Sequence, residues 1–191
     1  MAFTNTETKE VHCKVIYFGA EGSGKLTSLR SIYKLTSLNY PTNIIDAKDR
    51  QSRWFSFLPI SIGHVNDFHI KLHLYSMSKS FLNKNTIPSF FQGVDGFIFV
   101  VDSRIEALSS SLEEMSFLKS IAYSQNFNLF DLPLVFQYNK RDLIDIVTLD
   151  ILRKEFNPMS CPEFESVAIK SIGTMETVKG VSKLILNKLS I

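Results

Sequence analysis

Val11-His12-Cys13-Lys14-Val15-Ile16-Tyr17-Phe18-Gly19-Ala20-Glu21-Gly22-Ser23-Gly24-Lys25-Leu26 is the stretch on which the fold is decided. Its apolar half, Val11 to Phe18, reads as a strand running straight into a glycine-rich loop. From Lys25 to Ser37, Leu29, Ile32, Tyr33 and Leu35 recur mostly at spacings of three or four, which predicts a helix. A G-x-x-x-x-G-K run between a strand and a helix is the phosphate-loop pattern. Glycines there let backbone N–H groups converge on phosphate oxygens, and Lys25 adds a cation at the helix N-terminus. The residues expected to line a phosphate are Gly19, Glu21, Gly22, Ser23, Gly24, Lys25, Leu26 and Thr27.

Two of these depart from the usual chemistry. The residue after the lysine ordinarily offers a hydroxyl to Mg²⁺, and Leu26 has no oxygen. Thr27 is no simple substitute, because the next helical position points about 100° away. Glu21 brings a carboxylate toward the ligand's own negative charge, which weakens binding unless the side chain turns to solvent.

Beyond the first helix, Leu38 to Arg53 is polar and contains Pro41, so it reads as a long loop. Trp54 to Ile62 and Phe68 to Tyr75 read as strands, with Gly63 to Asp67 as the hairpin turn between them. Lys79 to Gln92 is weakly helical and interrupted by Pro88. Gly96 to Val101 is continuously apolar, as expected of a central parallel strand covered on both faces. Glu106 to Tyr123 reads as helix, Leu134 to Tyr138 as a buried strand, Leu149 to Phe156 as helix and Glu165 to Ala168 as a last short strand. Thr174 is placed to N-cap a final helix whose Val178, Val181, Ile185 and Leu189 form one apolar stripe for the core. Strands alternating with helices predict an α/β fold with three layers, a mostly parallel central sheet and one antiparallel hairpin strand. Its ligand belongs at the carboxyl ends of the strands.

At one such end stands Asn139-Lys140-Arg141-Asp142, an N-K-x-D run. Its Asp carboxylate can accept two N–H bonds from guanine, whereas adenine has no matching donors on that edge. Asn139 is expected to tie the base loop together, the stem of Lys140 to cover the base plane, and the N–H of Ala168 to contact the guanine oxygen. Asp142 disfavours an ATP-using phosphate-loop enzyme.

With 191 residues the chain suits one domain, since a domain takes roughly 100–200. With 45% of residues hydrophobic there is material for a core, and a net charge of +2 gives no reason to expect nucleic acid or an anionic membrane. No uncharged apolar run is long enough to span a bilayer. The polar Met1 to Glu10 lacks the apolar run of a secretory signal and is not a Met-Gly acylation start, and Leu189-Ser190-Ile191 has no prenylation cysteine. The expectation is a cytoplasmic protein with no membrane anchor. Cys13 and Cys161 are expected to be free thiols. His69 and His73 share a strand face, a weak metal hint, but with no Cys or carboxylate cluster hydrogen-bonded strand histidines are the simpler reading.

With both motifs placed, the chain resembles the MglA-type bacterial Ras-like small GTPases of cell polarity and gliding motility. The likeness covers the whole domain. It rests on Cys13-Lys14-Val15-Ile16-Tyr17-Phe18-Gly19, Phe57-Leu58-Pro59-Ile60-Ser61-Ile62-Gly63, His73-Leu74-Tyr75, Gly93-Val94-Asp95-Gly96 and Gln137-Tyr138-Asn139-Lys140-Arg141-Asp142-Leu143. The resemblance implies a Ras-like GTPase fold, GTP or GDP as ligand with Mg²⁺, and hydrolysis of GTP to GDP. It further implies recruitment to a cell pole through a roadblock-type activating protein and polar scaffold or response-regulator proteins, docked on the switch regions and the Trp54-to-Tyr75 hairpin. Trp54, Phe55, Phe57, Phe81, Phe90 and Phe91 are candidates for that surface and equally for the core.

Departures gather where phosphate chemistry occurs. The family's Thr-Val-Pro-Gly-Gln in switch II appears as Ser76-Met77-Ser78-Lys79-Ser80, so Lys79 replaces the glycine that senses the terminal phosphate and Ser80 the glutamine that positions water. The family's Arg-Thr pair in switch I aligns with Gln51-Ser52, flanked by Arg50 and Arg53; Ser52 keeps a hydroxyl for a metal. Losing such groups costs on the order of 10²–10⁵ in rate each. Two readings therefore stand: a guanine-nucleotide switch with little intrinsic hydrolysis, or a pseudo-GTPase scaffold that no longer depends on nucleotide.

Overall fold

The computed structural model describes residues 2–37, 42–48, 53–77 and 79–189. Its strands are β1 (Phe3–Asn5), β2 (Glu10–Phe18), β3 (Ile45–Lys48), β4 (Arg53–Val65), β5 (Phe68–Met77), β6 (Gly96–Asp102), β7 (Leu134–Asn139) and β8 (Glu163–Glu165). Its helices are α1 (Lys25–Thr36), α2 (Thr86–Phe91), α3 (Leu108–Ser124), α4 (Leu149–Phe156) and α5 (Thr174–Leu189). The sheet order is β3-β4-β5-β2-β6-β7-β8, with β1 beside the start of β2. Strands β5, β2, β6, β7 and β8 run parallel, while β4 returns antiparallel to β5. This is the expected α/β, Ras-like architecture.

Strand β6 shows why there are three layers. Every residue of Gly-Phe-Ile-Phe-Val-Val-Asp is buried, and successive side chains of a strand point to opposite faces. Phe97, Phe99 and Val101 join Phe91 of α2, Met115 and Leu118 of α3 and Phe156 of α4 in one core. Ile98 and Val100 join Leu29 and Ile32 of α1 and Val178, Val181 and Ile185 of α5 in the other. Among the described residues no helix is long and apolar enough to cross a membrane.

Several boundaries differ from the sequence reading. The segment read as one loop from Leu38 to Arg53 contains β3, which pairs antiparallel with β4; its polar Asp46 hid a strand whose Asp46 carboxylate accepts from Ser56 at 2.6 Å. The hairpin turn is tighter than Gly63 to Asp67: pairing continues to Val65 and Phe68, a bulge near Gly63 (φ 101°) absorbs the glycine, and Asn66 takes the left-handed turn position. Lys79–Phe81 and Ala168–Lys170 are single 3₁₀ turns. The last strand stops at Glu165, before Ala168, because Val167 bridges back to Ile172 and closes a loop. Thr174 is the first residue of α5 and no cap; its hydroxyl bonds to Ser31 of α1 at 2.7 Å. Pro88 falls in the first turn of α2, where its missing N–H costs nothing.

Cys13 and Cys161 are both free. Three of the histidines are hydrogen-bonded, His12 Nδ1 to His73 Nε2 at 2.9 Å and His69 Nε2 to Ser61 Oγ at 2.5 Å, and His64 stacks on His69. Among the described residues no three His, Cys, Asp or Glu side chains converge as metal ligands.

Phe99, fully buried, packs on the rings of Phe18, Phe136 and Phe156. Phe99→Ala is expected to cost about 3–5 kcal/mol in urea unfolding. Tyr123→Ala, at a side chain 86% exposed, stays within about 0.5 kcal/mol.

Candidate nucleotide site

The phosphate loop leaves the carboxyl end of β2 and enters α1 through three left-handed glycines, Gly19, Gly22 and Gly24. Two have no room for a side chain. A Cβ on Gly19 would lie 2.2 Å from the carbonyl oxygen of Val100, and one on Gly24 would lie 2.1 Å from Asn139 Nδ2. Lys25 turns its ammonium onto the loop itself, donating to the carbonyls of Gly19 at 2.7 Å and Ala20 at 2.9 Å. Burial pushes its pKa down to about 8, partly countered by the charges of Glu114 and Glu21. Glu21 is exposed and also lines the cavity against this loop, so its carboxylate adds negative charge at the site.

A cavity of about 290 Å³ opens against this loop, with Lys25, Leu26, Thr27, Ser76, Lys79 and Glu114 among its walls. Leu26 presents hydrocarbon where a metal would need oxygen, and two ammonium groups share the space. Ser56, also on the wall, already donates its hydroxyl to Asp46. Among the described residues the oxygen-bearing side chains lining the cavity are Glu21, Thr27, Ser56, Ser76 and Glu114, and Leu26 adds none. Arg50, Gln51, Ser52 and Ser78, with the side chains of Arg53, Trp54 and Ser80, lie outside the described residues. Phe55, Phe81 and Phe90 interlock with centroids 5.4–5.6 Å apart, and Phe57 stacks on His73 at 5.6 Å.

Asn139 joins the two ends of the site. Its Nδ2 donates to the Ser23 carbonyl in the phosphate loop at 2.8 Å. Its Oδ1 accepts from Ser166 Oγ at 3.1 Å and from the Ala168 N–H at 3.0 Å. Beneath it, Gln137 donates to Ser28 Oγ of α1 and to Ser166 Oγ, at 2.9 and 3.0 Å. Lys140, left-handed at φ 66°, anchors its ammonium on Asp102 at 2.7 Å, and Arg104 holds the same carboxylate at 2.8 Å. Burial pushes the Asp102 carboxyl up, but the Arg104 and Lys140 hydrogen bonds outweigh it and the net shift is downward. Asp142 accepts from Lys170 at 3.0 Å, which lowers its pKa. Arg141 braces the loop through Glu165 and the carbonyl of Val147.

The chain thus gathers Gly19 to Thr27, Asn139, Lys140, Asp142 and Ala168 at one edge of the sheet, with the Ala168 N–H engaged by Asn139. Sequence reading missed Asp102, Glu114, Ser166, Lys170 and Gln137. Only Gln137 carried a signal, as a long polar residue inside an apolar strand run. The depressed Lys25 pKa makes a prediction: below about 8 the ammonium is charged and above it neutral, so affinity for tripolyphosphate falls as pH rises through about 8. NMR of ¹³C-methylated lysines should show one titration midpoint near there, moving upward when the anion binds.

No family model matches the chain. Among curated proteins, the mutual gliding-motility protein MglA of Myxococcus xanthus (strain DK1622) is 35% identical over 191 residues, covering 99% of this chain and 98% of that protein. Identity sustained at that level from end to end, on a fold with a phosphate loop and an N-K-x-D strand end, places the chain in the MglA family of Ras-like GTPases.

Proposed function

We propose that this protein binds GTP and GDP and acts as a bacterial Ras-like regulator of cell polarity and motility, by gliding or type IV pili, with weak or absent intrinsic hydrolysis. The observation that supports the reading is the Asn139 clamp, which ties the strand end leading into Asp142 to the phosphate loop. Lys25 and the loop amides hold phosphate. Asp142 reads the base, and Lys140 is held across the site by Asp102. Turnover then depends on groups that a partner supplies, since Leu26, Lys79 and Ser80 stand where metal-binding, phosphate-sensing and water-positioning residues are expected. The proposed partners are a roadblock-type activating protein and polar scaffold or response-regulator proteins, met in the cytoplasm and at a cell pole.

One observation favours a second reading, a nucleotide-independent scaffold. The charged groups of the site are satisfied internally: Lys25 by loop carbonyls, Lys79 by Glu114, Lys140 by Asp102 and Asp142 by Lys170. Titration of nucleotide-stripped protein with a fluorescent non-hydrolysable GTP analogue separates the two. Saturable binding displaced by guanine but not adenine nucleotides, with Asp142→Asn weakening it on the order of 10²-fold, is the expected result. No binding up to about millimolar, with Asp142→Asn sparing partner capture, would leave only the scaffold.

A further inference from the structure

In the lining of the phosphate cavity, with Lys25, the structure holds an ion pair with unequal members. Lys79, in the 3₁₀ turn after β5, sets its ammonium 2.9 Å from the Glu114 carboxylate of α3. The Glu114 side chain is 9% exposed and that of Lys79 is 59% exposed. The acid is therefore fixed by packing on a helix, while the lysine has open space to swing, with its ammonium over the Phe117 ring at 5.6 Å. Both line the same cavity as Lys25. The charge of Glu114 also reaches Lys25, whose ammonium it favours.

Resting on the reading that a guanine nucleotide fills this cavity, we propose that Lys79 recognises the terminal phosphate and that Glu114 is its resident competitor. The lysine, in place of a divalent cation, then distinguishes triphosphate from diphosphate. A terminal phosphate adds negative charge that a metal would ordinarily neutralise, and Leu26 offers that metal no oxygen. Lys79 is the cation available on the same wall. Its departure from Glu114 does not strand a buried anion, because Glu114 keeps the field of Lys25. A glutamate at this place otherwise works against any anionic ligand, and a lysine shared between carboxylate and phosphate resolves the conflict.

The test is competition anisotropy with GDP and GTPγS in excess EDTA, read as the ratio of the two affinities. Lys79→Gln is expected to lower the preference for GTPγS about tenfold or more, the worth of one charge-assisted contact. Lys79→Arg should keep most of it, and the isosteric Glu114→Gln should raise it several-fold by removing the competitor. Thermal unfolding of each variant confirms the fold. If GDP binds but Lys79→Gln and Glu114→Gln leave the ratio unchanged, or both lower it, this inference is overturned while the guanine-nucleotide reading stands. If the unaltered protein binds neither nucleotide, both fall.

Discussion

One side-chain amide holds the site in register. Asn139 ends β7, and its three hydrogen bonds reach the phosphate loop through Ser23 and the last loop through Ser166 and Ala168. A buried amide with donor and acceptor both engaged is a rigid spacer, since breaking either side leaves an uncompensated polar group. Gly24 has no side chain because that amide occupies the space a Cβ would take. The Gln137, Ser28 and Ser166 network below extends the same tie to α1. The phosphate loop and the loops that follow β7 and β8 lie far apart in sequence and are joined into one hydrogen-bonded unit in this way.

Electrostatics then set what that unit can do. The phosphate end carries two lysines and two glutamates, with apolar Leu26 at the position where metal ligation is expected. Binding a polyanion there requires internal pairs to exchange partners, and each exchange offsets part of the new contact. On the proposed reading such a site still holds a nucleotide, with the loop amides on the phosphates and Asp142 on the base. The proposed weakness in hydrolysis follows from the same exchange, because phosphoryl transfer depends on positioned charge. The departures from the family's sequence pattern fall at Leu26, Lys79 and Ser80, while the run Asn139-Lys140-Arg141-Asp142 is kept.

How much of this was legible in sequence followed from physical locality. β2, the glycine loop and α1 are specified by residues adjacent in the chain, and α4 was read with the bounds it has, Leu149–Phe156. β6 declared itself by the continuous apolar run from Gly96 to Val101, to which the strand adds a buried Asp102. β3 did not, because Ile45-Asp46-Ala47-Lys48 alternates over only four residues inside an otherwise polar segment. Thr174 looked like a cap because capping is a local signal, whereas its hydroxyl is recruited by Ser31, distant in sequence. Glu114 was invisible: within α3 it is one of two adjacent glutamates, and only the packing of α3 turns it inward to Lys79 while Glu113 is left exposed. Asp102 and Lys170 were missed for the same reason, their partners being brought by the fold.

The claim that Asn139 couples the two halves is tested most directly with a ligand that has no base. The affinity of tripolyphosphate and of GDP would be measured by calorimetry for the unaltered protein and for Asn139→Ala. The clamp predicts that both affinities fall together, because the phosphate loop loses its tie to β7 as the base loop does. A loss confined to GDP, with tripolyphosphate binding unchanged, would contradict it.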